Sequence, residues 1–191
     1  MAHVPKPPMV IDHVPIYGGR TPEFIVLHDT EGLGSIESYA RGFRANGLGS
    51  SYMVERSGRT GEYVRNLTDR TYHVKDHNTQ CIGIEQVGFY TTSKFQWVTK
   101  YRTQLWATAW LTAWLCQELG IPAVAAGQYP HRGFTHTKGI TMHVMVPDND
   151  HLDCGAGYPF TYIVNKSKYW LDRGGPTAAT KAIIARSVRN A

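Results

Sequence analysis

Apolar and polar positions along the chain follow two rhythms, one of strands and one of helices. Phe24-Ile25-Val26-Leu27-His28 is a short apolar, β-branched run without a breaker, which predicts a buried strand closing on a histidine. Ser35, followed by Ile36, Tyr39, Ala40 and Phe43, has the spacing of a capped helix, which Gly47-Leu48-Gly49 stops. Ser51 to Glu55, a turn at Ser57-Gly58, and Gly61 to Arg65 predict a hairpin, and Cys81-Ile82-Gly83-Ile84-Glu85 predicts a central strand. From about Thr99 to Leu119 the set Tyr101, Leu105, Trp106, Ala109, Trp110, Ala113, Cys116 and Leu119 recurs at three and four, and Gly120-Ile121-Pro122 ends that helix. Trp106, Trp110 and Trp114 lie on this repeat, so they read as core rather than as a platform for sugars. Ile140 to His143 reads as a short strand or its end, and Pro159 to about Arg173 as a last helix.

The punctuation between these elements sets the boundaries. Pro5, Pro7, Pro8 and Pro15 make residues 1–22 an extended arm, and residues 23–173 carry the folded unit. After Gly174-Gly175-Pro176 the text turns Ala-, Thr- and base-rich, so residues 174–191 read as a tail or the start of a linker. Loops are expected at 127–137 and 147–157. A chain of 191 residues, 42% hydrophobic and without internal repeats, suits one α/β domain with a single core.

Composition narrows the function classes. No apolar run reaches the roughly 20 residues of a membrane span, so no integral membrane segment is expected, and the first residues lack the apolar core of a secretory signal. Cys81, Cys116 and Cys154 are odd in number and widely spaced, which argues against a disulfide framework and suits synthesis in a reducing cytoplasm. The net charge of +5 permits an anionic polymer as partner, but the basic residues are scattered. A nucleic-acid binder would need a clustered basic face with aromatic or helical readout, and neither is present.

Nine histidines decide nothing by number; context sorts them. His28 closes one apolar strand, His143 follows another short apolar segment, and Asp153 lies in a loop running into Gly155. Two imidazoles and a carboxylate suit a tetrahedral zinc with one position open to water. Unlike a HExxH helix, this set carries no local signature of its own.

Four segments in order, FIVLHDTEG, SSYMVERSGRTGEYV, CIGIEQVGF and MHVMVPDNDHLDCGAGYPF, resemble those of the type 2 N-acetylmuramoyl-L-alanine amidases. That group includes phage endolysins and is related to peptidoglycan recognition proteins. The likeness runs from about Phe24 to Ile163. It implies a central mixed β-sheet flanked by helices, with a zinc site in a surface groove. It places the first two zinc ligands on His28 and His143. The third is Asp153 or Cys154: matching Gly155 to the family's glycine selects Asp153, and the competing register offers the Cys154 thiolate.

The same resemblance places the family's catalytic acid on Glu85, at the end of the apolar strand CIGIE, where a charge is costly unless it faces a polar cleft. The bland alternative is an edge glutamate paired with an arginine. His151 stands where related amidases often carry a transition-state-stabilising lysine, and an imidazole, unlike a lysine ammonium, loses its charge near neutral pH. His73, in TYHVKDHN, matches a groove histidine and implies substrate contact or support of the site; Asn78 and His77 of the same loop are candidates to reach the stem peptide or plain solvated residues. His3, His13, His131 and His136 read as arm or surface residues.

The implied activity is zinc-dependent hydrolysis of the bond between N-acetylmuramic acid and L-alanine in peptidoglycan. A non-catalytic wall-binding module and a cytoplasmic enzyme recycling wall fragments are the alternatives. A basic chain without an evident signal is also what a phage endolysin looks like. On that reading it is a monomer, made in the host cytoplasm, that reaches the wall after release and lyses it.

Overall fold

The computed structural model describes residues 3–191. Six strands form one mixed sheet: β1 (Met9–Ile11), β2 (Phe24–Asp29), β3 (Tyr52–Val54), β4 (Thr60–Glu62), β5 (Cys81–Gln86) and β6 (Gly139–Met142), in spatial order β1-β4-β3-β5-β2-β6. Only the β3–β4 hairpin is antiparallel. Five helices surround it: α1 (Ile36–Asn46), α2 (Lys94–Thr99), α3 (Arg102–Leu119), α4 (Phe160–Arg173) and α5 (Ala178–Arg189). This is the expected single-domain α/β architecture.

β2 lies between β5 and β6, and all six of its residues are buried. That position explains its unbroken apolar text, because a strand paired on both edges and covered on both faces has no solvent side. Ile25, Leu27, Ile82, Ile84, Ile140 and Met142 pack with α3 and α4 in the main core, while Phe24, Val26 and Cys81 belong to a separate cluster with Val74 and Val146. A fully buried Ile or Leu contributes about 1.5–3 kcal/mol, so these strand ends are rigidly held.

α1 starts as expected: the Ser35 side chain accepts the Ser38 N–H, and Gly47 closes the helix at φ 66°. The helix expected from about Thr99 to Leu119 is α3, which starts at Arg102, and a separate short helix, α2, precedes it where none was expected. α2 opens with a reciprocal Ser93–Gln96 capping box, and α3 begins after Lys100-Tyr101. On α3, Trp110 and Trp114 are buried, and Trp106 donates to the Tyr162 hydroxyl at 2.8 Å. The tryptophans are structural.

Both chain ends carry more structure than their composition suggests. Within the proline-rich arm, β1 pairs in parallel with β4, and the Trp110 indole donates to the Pro5 carbonyl at 2.8 Å. Residues 174–191 read as a tail, yet they contain α5, whose Thr177 cap accepts the Thr180 N–H. α5 packs against α3 through Ile184 and Val188. Its apolar positions are too few to stand out in sequence, and the packing supplies what propensity does not. Among the described residues no helix is long and apolar enough to cross a membrane.

Candidate active site

Three parallel strands, β5, β2 and β6, end side by side. His28 is directly opposite Glu85, and Leu27 is opposite Met142, so the next residues of β2 and of the β6 segment are His28 and His143. Because side chains alternate along a strand, Leu27 and Ile84 enter the core beside α3, and His28 and Glu85 emerge on the other face. The carboxyl ends of parallel strands are where such sheets present their sites.

Asp153 reaches the same point from the loop after β6. His28 Nδ1 and His143 Nδ1 are 3.1 Å apart; Asp153 Oδ2 is 3.2 Å from His28 Nδ1, and Asp153 Oδ1 is 3.1 Å from His143 Nδ1. All three residues are buried. Tetrahedral zinc with bonds of about 2.0–2.1 Å needs neighbouring ligand atoms roughly 3.3 Å apart, so the donor set fits that ion in chemistry and in spacing.

The second nitrogen of His28, Nε2, is 2.9 Å from His73 Nδ1, and His73 Nε2 is 3.5 Å from the Cys81 carbonyl. With His28 Nδ1 turned to the cluster, its Nε2–H donates to His73, an arrangement that fixes ring orientation in metal sites. Burial, then the neighbouring His28, Arg20 and His143, hold the His73 imidazole well below its ordinary pKa, keeping it neutral. Burial and His28 likewise depress His143. For Asp153, burial pushes the pKa up, but hydrogen bonds from His143 and His28 outweigh it and hold the carboxyl below the usual range.

Glu85 is half-buried, and burial first, then the charge of Asp153, raises its carboxyl well above the usual range. No arginine is paired with it among the described residues, so the edge ion-pair alternative does not apply. His151 is exposed; its ring stacks on that of His143, with centroids 4.2 Å apart and planes at 22°, and its Nδ1 lies 3.5 Å from Asp153 Oδ1. These residues border a cleft of about 810 Å³, to which Tyr39, Phe43, Leu48 and Tyr72 add apolar lining and Lys75 and Asp76 add charge.

Other expectations resolve differently. Cys154 is wholly buried, its Sγ 4.0 Å from Gln86 Nε2, and lies outside the cluster, so of the two registers Asp153 is the one that meets the histidines. Gly155, the residue that anchors that register, is needed for close approach: a Cβ there would stand 1.9 Å from the Tyr90 carbonyl oxygen. Asn78 borders the cleft, but its Oδ1 accepts the His73 and Val74 N–H groups at 2.8 and 2.9 Å and its amide donates to the Lys75 carbonyl. Its polar groups hold the His73 loop rather than reaching outward. His77 pairs with Gln80 and packs edge-on to Phe134. His131 and His136 are exposed, and neither joins the cluster.

Gly83 is a site residue that sequence reading missed. A Cβ there would come within 2.7 Å of His73 Nδ1 and 2.4 Å of Ser50 Oγ, so its missing side chain is the space His73 occupies. A glycine inside an otherwise apolar strand was the available signal.

The fold is shared with several solved structures. The Clostridium intestinale endolysin amidase LysCS is 17% identical, with TM-score 0.60, over 87% of this chain and 97% of that one. Staphylococcus aureus AmiA, solved with its ligand, is 18% identical with TM-score 0.64 over 90% of this chain and 87% of that one. The Ph2119 endolysin from the Thermus scotoductus bacteriophage is 16% identical with TM-score 0.54, covering 81% and 89%. No curated protein sequence matches the chain. The N-acetylmuramoyl-L-alanine amidase profile matches residues 18–156, a span holding every strand from β2 to β6 and the whole His28, His143 and Asp153 cluster, and by that match the chain belongs to the N-acetylmuramoyl-L-alanine amidase family.

Proposed function

We propose that this chain hydrolyses the amide between N-acetylmuramic acid and L-alanine in peptidoglycan with the help of zinc, and that the outcome is wall lysis. The observation that carries the reading is three buried donor atoms at zinc spacing beside a cleft-facing carboxyl. His28 Nδ1, His143 Nδ1 and an Asp153 oxygen would hold the ion. Zinc in that position supplies Lewis acidity for the carbonyl and acidifies a water molecule.

The chain's own groups do the rest. Glu85 takes a proton from the attacking water and returns it to the leaving alanine nitrogen, a task suited to a carboxyl whose affinity for protons is raised. His151 donates an N–H toward the carbonyl oxygen as negative charge builds there. His73 keeps the His28 ring oriented, and Asn78 keeps the His73 backbone in place. The apolar and charged parts of the cleft lining give sugar and stem peptide different surfaces to meet.

The test uses purified bacterial walls with protein that is metal-stripped, zinc-restored, or untreated. New N-terminal alanine is expected with zinc, is lost with a chelator, and returns on zinc addition. Binding to walls without any new alanine in the zinc-loaded sample would instead mark a recognition module that does not cut.

A further inference from the structure

Asn149 sits inside the loop between the two ligands His143 and Asp153, and its side chain is buried and fully engaged. Its amide nitrogen donates to the His143 carbonyl at 3.0 Å and to the Val146 carbonyl, and its Oδ1 accepts the His151 N–H at 2.8 Å. One side chain therefore links the backbone of a proposed ligand to the backbone of His151. The same segment is closed at its base by the Val144 N–H, which donates to the Asp153 carbonyl at 2.5 Å.

What holds His151 otherwise is weak. Its side chain is 54% exposed, and its ring is steadied by the stack on His143 and the 3.5 Å approach to Asp153 Oδ1. An exposed side chain on a loop keeps much of its rotamer freedom unless its backbone is fixed. Asp148, at φ 53°, turns the chain so that Asn149 points inward while His151 remains at the cleft.

We propose that Asn149 is a positioning residue for the reaction: it sets the place of His151 relative to His143 and Asp153, and the donor role of His151 depends on it. This rests on the function proposed above for His151. Asn149 is placed to touch neither substrate nor metal, so it acts through the backbone it holds, and the proposal assigns its effect on turnover to His151.

The experiment is a double-mutant cycle with wild type, Asn149→Ala, His151→Ala and the double variant. Turnover of a soluble muramyl peptide, zinc content, and imidazole NMR spectra of the metal-free proteins are measured together. His151→Ala is expected to lower kcat about 100-fold, the size of losing one oxyanion donor. Asn149→Ala should lower it similarly with KM and zinc content unchanged, and the double variant should be no slower than His151→Ala. The His151 resonances should move in Asn149→Ala while those of His28 stay.

Losses that multiply, zinc lost from Asn149→Ala, or unmoved His151 resonances would overturn the proposal. Asn149→Asp guards against a variant that fails to fold. It keeps the acceptor for the His151 N–H but loses the donor to the two carbonyls, and it should give smaller shifts of the same His151 resonances; none at all would count against the proposal. If the wild type itself releases no alanine, the amidase reading fails, while the spectra still decide whether Asn149 places His151.

Discussion

The two faces of the sheet, one residue apart along the same strands, treat polar groups in opposite ways. On the cleft face, His28 meets His143, Asp153 and His73, and Glu85 stands opposite His28 in register and borders the same cleft. The next residues in register, Asp29 and Gln86, are buried, Gln86 toward α3 and Asp29 at the inner edge of the cleft. Gln86 is satisfied there, its Oε1 accepting from Thr108 and Tyr158 at 3.1 and 2.7 Å and its Nε2 donating to the His28 carbonyl at 3.2 Å. Asp29 is less well served: neither oxygen has a close hydrogen-bond partner, and burial, then a weak hydrogen-bond approach of Glu31 and the charges of Asp153, Glu31 and Glu85, raises its pKa to about 9. A buried strand-end side chain that is fully hydrogen-bonded costs the fold little, whereas a buried carboxyl held above its ordinary pKa is a liability the fold tolerates.

Glu85→Gln cuts deepest into this comparison. It keeps shape and cleft position and removes the base, so kcat should fall about 10²–10⁴-fold with zinc content unchanged. The pH dependence follows from the direction of its shift. A base must be deprotonated, and the Glu85 carboxyl binds its proton more tightly than an ordinary carboxyl, so the acidic limb of the rate profile should lie above the usual carboxylate range. An acidic limb at ordinary carboxylate pH would remove Glu85 from that role.

Gly83→Ala probes the support of the cleft face. Its methyl would collide with His73 Nδ1 and Ser50 Oγ, so either His73 leaves His28 or the strand shifts. A loss of about 1–3 kcal/mol in unfolding free energy is expected, as for overpacked sites, with weaker zinc retention. Unchanged melting and unchanged metal affinity would show that His73 does not need that space.

Asp29→Asn gives the smallest effect and has the opposite sign. A carboxyl with a raised folded pKa binds its proton more tightly in the folded state, so stability declines as pH climbs from about 4, the unfolded value, toward about 9. Replacing it with the neutral isostere should remove that penalty and stabilise the protein by about 1 kcal/mol, less than the 1–3 kcal/mol cost typical of an unsatisfied buried group. Thermal melts at pH 5 and pH 8 check it: the gain should be larger at pH 8, and equal gains at both would mean Asp29 is not titrating as described.

Much of this was readable from text because period and punctuation are local. The run FIVLH, the capped helix after Ser35, and the glycine stop after Leu119 depend on neighbours in sequence, and they stand where expected. The short helix α2 and the existence of α5 were not legible. α2 hangs on one capping box, and α5 on burying Ile184 against α3. The candidate site divides in the same way: motif likeness pointed to His28, Glu85, His143 and Asp153, but not to Gly83 or Asn149, which only their neighbours in the fold bring to notice.

The sequence by itself placed the ends of β2 and β5 at His28 and Glu85, within one residue of where they lie at Asp29 and Gln86, since an unbroken apolar, β-branched run is a local property of the chain. Only the tertiary structure decided that Asp153 rather than Cys154 meets the two histidines, that Asn78 serves its own loop, and that Asn149 joins His143 to His151. Those outcomes depend on how a loop closes over neighbouring strands, and loop closure is set by contacts between residues far apart in the chain.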